Sequence, residues 1–119
     1  MIEFWSEMDL FLRERGIETG YMTDAERITY LRDHTTGLFM EVAELMDSFN
    51  WKPWRDGEDI DVNNLTREVI DCLFFLHHIC DAAGVSRGDL RSAFSAILEN
   101  NRKRYVDKNF SEEDKVLNL

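Results

Sequence analysis

Residues 68–80 read EVIDCLFFLHHIC. Val69, Ile70, Leu73, Phe74, Phe75, Leu76 and Ile79 leave this stretch apolar nearly all round. A helix of that kind is central and buried, so the periodicity predicts a core helix over about 64–83, stopped by Gly84. Two carboxylates stand at its head, Glu68 and Asp71, one turn apart on one face. A charged carboxylate among apolar groups is costly unless something neutralises it. The preceding apolar stripe carries a second such pair, Glu41 and Glu44, with Leu38 and Leu45 beside them. Packed antiparallel, the two helices would bring four carboxylates together. Such a cluster calls for oxygen-loving cations, and magnesium suits it, because it takes a few carboxylates plus waters and phosphate oxygens.

The rest of the chain favours helices too. Pro53 is the only proline in 119 residues. Long periodic runs with few breakers point to an all-α fold, and the length fits a single domain over 1–119. A first helix is expected over 2–15, with Ile2, Trp5, Met8 and Leu12 on its apolar face and Gly16 as its stop. TDAE at 23–26 reads as a capping box opening a second helix over about 24–49, with stripe Ile28, Leu31, Leu38, Val42, Leu45 and Phe49. Thr35, Thr36 and Gly37 mark an expected break within it. Ser86 and Asp89 cap a fourth helix reaching about 107, and SEED at 111–114 would cap a short terminal one.

The formal net charge of −10 argues against a nucleic-acid partner. Cys72 and Cys80 lie about 12 Å apart along one helix, too far to pair, and neither has a CxxC partner for zinc. The opening MIEFWSEMDL lacks the basic segment of a signal peptide, and no apolar run is long enough to span a membrane. The expectation is a cytoplasmic protein. Asp59, Asp61 and Asn63 start like a calcium-binding EF-hand, but Asn64 replaces the glycine and Ile70 the closing glutamate, so that reading fails.

E-x-x-E on one helix and E-x-x-D on the next resembles the metal signature of the all-α nucleoside triphosphate pyrophosphatases, the group of the MazG-like enzymes and the dimeric dUTPases. WKPW at 51–54, following ExxEL, looks most like the dimeric dUTPase branch. The resemblance covers about residues 25–105. It implies a helical bundle of about four main helices completed by oligomerisation, as a homodimer or homotetramer. It also implies magnesium, with manganese as its substitute, and release of pyrophosphate from a nucleoside triphosphate. Phe74 stands where dimeric dUTPases often carry a histidine. Of a late K-x-x-x-N-x-x-R pattern, Asn101 and Arg104 fit and Ile97 replaces the lysine.

The expected site follows. Glu41, Glu44, Glu68 and Asp71 hold the metal, with Glu41 or Glu44 orienting the attacking water. Lys52, Arg55, Asn101, Arg104, Tyr105 and Lys108 contact the substrate, and Trp51 or Trp54 stacks on its base. His78 is expected in the core, and His77 at the surface or an interface. The favoured reaction is hydrolysis of dUTP to dUMP and pyrophosphate. A MazG-like enzyme acting on dCTP or other nucleotides is the alternative within the class. A non-catalytic acidic helical interaction protein is the alternative outside it.

Overall fold

The computed structural model describes residues 2–107. Four helices occur among them: α1 (Ile2–Glu14), α2 (Asp24–Met46), α3 (Val62–Ala83) and α4 (Arg87–Tyr105). A single 3-10 turn at Thr19–Tyr21 links α1 to α2. No β-strand is present among the described residues, and Phe49 and Ile60 form one isolated antiparallel bridge. The fold is all-α. The chain divides into two compact units, one ending at Gly84 and the other beginning at Val85. The segment at 111–114 lies outside the described residues.

Local chemistry sets each boundary. Gly16, at φ 76°, ends α1. Its N–H bonds to the Arg13 carbonyl and that of Ile17 to the Leu12 carbonyl, a paired closure that a left-handed residue makes possible. Thr23 and Glu26 form the expected reciprocal cap of α2. Asp61 accepts from the Asn64 N–H and starts α3 at Val62, two residues before the expected start. Gly84 closes α3 at φ 77°. Ser86 and Asp89 form a second capping box on α4.

The first unit packs α3 against α2 along their length and against α1. Trp5, Met8 and Leu12 are buried, as the α1 periodicity requires. The side chain of Ile2 is not among those described. The expected break at 35–37 is absent, and α2 runs through it. Gly37 has another role: a Cβ there would meet three carbons of the Phe75 ring at 3.0 Å or less. Glycine lets α2 and α3 approach over that ring.

Four expectations need correction. The α2 stripe is rotated: Ile28 and Val42 are exposed, and the partly buried side is Tyr30, His34, Leu38, Glu41 and Leu45. Phe49 is outside the helix, because α2 ends at Met46 where Ser48 turns inward. Ser48 accepts from the Asp61 N–H at 2.7 Å and, through Oγ, from Asn64 at 2.8 Å, which ties the exit of α2 to the entry of α3. Within one chain α3 is only partly covered, since Val69 and Leu76 are each 41% exposed. Finally, His77 is 1% exposed rather than a surface residue. It lies edge-on to Trp5 at 5.0 Å and pairs through Nε2 with Asp9. At the far end of α3, Asp81 receives Arg13 at 2.7 Å and the Thr19 hydroxyl at 2.6 Å. These polar pins hold α1 and the 3-10 turn onto α3.

Gly37→Ala is expected to destabilise the protein by about 1–3 kcal/mol, the usual scale of overpacking, although alanine is the better helix former. Thermal melting of both proteins checks this. A variant melting at or above the parent temperature would mean that the Phe75 ring yields freely.

Candidate metal centre

The acids meet where α2 and α3 lie side by side. Glu41, Glu44 and Glu68 each offer one carboxylate oxygen, and these oxygens lie within 4.8 Å of one another. Glu41 and Glu68 are partly buried and Glu44 is exposed. Asp71 is exposed and stands outside that trio, though its charge reaches Glu41. The structure therefore brings three of the four expected ligands together and leaves the fourth at the margin.

The electrostatics show what this proximity does. The Glu41 carboxyl is pushed up to about 7. The largest cause is a hydrogen bond shared with Glu68, followed by burial and then by the charges of Glu44, Glu68 and Asp71. A proton between two carboxylates thus stands where a cation would serve. Even so, Oε2 of Glu41 and Oε2 of Glu68 are buried without any hydrogen-bond donor. Two orphaned oxygens beside a third carboxylate form an all-oxygen set, the chemistry of a hard divalent ion. The residues present fit such an ion. The neighbouring Cys72 thiol is pushed up by burial and then by the charges of Glu41, Glu68 and Asp71, which disfavours the reactive thiolate.

The loop between the helices is organised by Asn50, which sequence reasoning passed over. Its side-chain amide donates to the carbonyls of Arg55 at 2.8 Å and Gly57 at 3.2 Å, while its oxygen accepts from the Lys52 N–H at 3.1 Å. Asparagine before a tight turn is the signal that could have identified it. On this frame Trp51 and Trp54 meet edge to face at 6.1 Å, and the Lys52 ammonium lies 5.3 Å from the Trp51 ring centre. Trp54 and Arg55 are exposed. The loop leaves α2 just after Glu44, at Met46, and enters α3 at Val62, nearly two turns before Glu68, so Lys52 and Arg55 belong to the stretch that joins the two acid pairs in sequence.

The remaining expected contacts fall in the second unit. Asn101, Arg104 and Tyr105 occupy the end of α4, where the Arg104 guanidinium lies 5.3 Å from the centre of the Tyr105 ring. Lys108 lies outside the described residues. Sequence reasoning also missed Tyr30, His34 and Arg15. Tyr30 and His34, at i and i+4, stack at 3.8 Å, and His34 stacks on His78 at 5.1 Å.

The dUTPase family model matches residues 6–111. The chain belongs to this family. No curated protein and no solved structure matches it. Membership suggests dUTP hydrolysis or a related nucleotide pyrophosphatase activity, and with it a nucleotide substrate. Among the described residues no single helix is long and apolar enough to cross a membrane.

The raised Glu41 carboxyl has a definite sign for stability. Its value moves from 4.5 to about 7 on folding, so the folded, metal-free protein holds the proton more tightly than the unfolded chain. That contribution is complete below the unfolded value and is lost as pH rises through about 7. In EDTA the melting temperature of the parent should therefore fall, relative to Glu41→Gln, between acidic and mildly alkaline pH. Parallel melting curves for the two proteins across that window would contradict the shared proton.

Proposed function

We propose that the protein is a magnesium-dependent pyrophosphohydrolase that converts dUTP to dUMP and pyrophosphate. The observation that carries this is the Glu41, Glu44 and Glu68 trio with its two orphaned buried oxygens, in a chain of the dUTPase family. Glu41, Glu44 and Glu68 would hold the ion, with Asp71 completing the set. Magnesium bound there supplies charge neutralisation for the triphosphate and acidifies water. The protein's own groups do the rest. Glu44, the exposed member of the trio, orients the attacking water and takes its proton. Lys52 and Arg55 neutralise the outer phosphates from the loop. An acidic protein and an anionic substrate are thereby reconciled through the cation.

A second copy of the chain belongs to this reading. Phe39 and Met40 on α2 are 80% and 62% exposed, and Val69 and Leu76 remain uncovered on α3. Apolar surface on this scale is uncommon on a monomer and is what a homodimer or homotetramer would bury. Sedimentation should return a multiple of 14.1 kDa at micromolar concentration, and a monomeric mass would remove the oligomer from the proposal.

Pyrophosphate release over all canonical nucleotides with magnesium tests the reaction. dUTP should be turned over fastest, and a flat panel would reject the dUTP assignment. Magnesium should also raise the melting temperature, since a ligand at about 100 times its Kd adds about 2.7 kcal/mol. Glu68→Gln should abolish most of that gain and lower turnover by about 10²-fold or more, whereas Asp71→Asn, outside the trio, should weaken both by less. Equal magnesium response in parent and Glu68→Gln would refute the site.

A further inference from the structure

The loop that joins α2 to α3 has no buried residue from Phe49 to Asp61. Packing against a core therefore cannot give it a shape. Its base is closed without help from its middle. The Phe49–Ile60 bridge closes it, and so does Ser48, whose carbonyl takes the Asp61 N–H and whose hydroxyl takes the Asn64 amide. A closed base still leaves the exposed tip, residues 50–57, free to vary unless something inside it holds.

One side chain does so. The Asn50 amide nitrogen donates to the carbonyls of Arg55 at 2.8 Å and Gly57 at 3.2 Å, and the amide oxygen accepts from the Lys52 N–H at 3.1 Å. A turn inside the tip joins the Arg55 N–H to the Lys52 carbonyl at 3.1 Å. Lys52 and Arg55 are thus each tied at both backbone groups, in a ring of hydrogen bonds that closes through Asn50. Only an amide can close it in this way, because it carries two donors and an acceptor on one planar group. The two residues so fixed are the two cations of the loop. The Lys52 ammonium is held further, 5.3 Å from the centre of the Trp51 ring, and Trp51 leans edge to face on Trp54 at 6.1 Å.

We propose that Asn50 is a positioning residue for the phosphate grip: it fixes the Lys52 and Arg55 backbones before a nucleotide arrives, so that both cations meet the outer phosphates from a loop already in shape. Asn50 itself touches neither substrate nor metal and acts through the two cations. Its contribution is preorganisation, since ordering long charged side chains at the moment of binding weakens binding. The cations hold the outer phosphates before the reaction as well as during it, so loosening them should fall on KM and spare kcat. This rests on the phosphate role given to Lys52 and Arg55 above, and the test separates the two.

Asn50→Ala removes the three bonds without adding charge. In the metal-free protein, amide hydrogen exchange at Lys52 and Arg55 should quicken about tenfold or more, while the magnesium-induced rise in Tm should remain. KM for dUTP should rise about tenfold, with kcat changed far less. In a Lys52→Ala, Arg55→Ala background the same substitution should raise KM no further, because nothing is left to position. Unchanged exchange in Asn50→Ala, a loss confined to kcat, or a full additional rise in KM in the background lacking both cations would each overturn the assignment. Calorimetric titration with magnesium tripolyphosphate reads the grip without the reaction. Quicker exchange with weaker tripolyphosphate binding in Asn50→Ala supports the role of Asn50 even if no nucleotide is hydrolysed, in which case it is the reaction that fails. Equal binding by parent and Asn50→Ala overturns it even if pyrophosphate is released from dUTP.

Discussion

The repulsion among Glu41, Glu44 and Glu68 is the constraint around which the first unit is built. Three carboxylate oxygens within 4.8 Å destabilise any fold that holds them there without compensation. A proton shared by Glu41 and Glu68 relieves part of this, and two oxygens still lack donors. The strain has to be balanced elsewhere in α2 and α3. At one end, Ser48, Asp61 and Asn64 tie the two helices together. Beyond the acids, Gly37 lets the Phe75 ring close the gap. Farther along, Asp9 and Asp81 pin α1 and the 3-10 turn to α3. The carboxylates are held from both sides, so their approach is set by the fold and does not depend on an ion to create it.

Helix boundaries were legible in the sequence because short-range chemistry decides them. Thr23 with Glu26, Ser86 with Asp89, and the left-handed glycines Gly16 and Gly84 all act within a few residues of themselves. Facing was less legible. Ile28 and Val42 share a helical spacing with Leu38 and Leu45, but the side of α2 that meets α3 is chosen by Gly37, a residue with no side chain to enter in a hydrophobic pattern. The same blindness hid His77. Polar residues in an apolar run read as surface, and only the third dimension supplies Asp9 and Trp5 to satisfy one of them. The meeting of the carboxylates was legible because two pairs of acids, each one turn apart, stand on consecutive helices. The lesser place of Asp71 was not, since all four acids share the same spacing rule.

Phe74 and Ile97, where dimeric dUTPases often carry a histidine and a lysine, take on a different weight once α3 is seen. Phe74 faces the Phe11 ring at 6.0 Å, edge to face, and its carbonyl fixes the His78 ring one turn further on. An imidazole is thus present on this face of α3, moved by four residues and aimed by the backbone of the residue that replaced it.

The order of chemistry along α2 and α3 is what joins these observations. An indole- and lysine-bearing loop, a cluster of carboxylates and the stacked Tyr30, His34 and His78 rings follow one another along two helices whose rise is fixed at about 1.5 Å per residue. Each of the three alone has an ordinary explanation as a packed loop, a solvated face or a core gap. A rigid helix pair can preserve such an order, because a residue moved by one turn stays on the same face and a residue moved by two positions leaves it. The His34 and His78 imidazoles, each with its Nδ1 bonded to a carbonyl of its own helix, extend that rigidity to individual lone pairs.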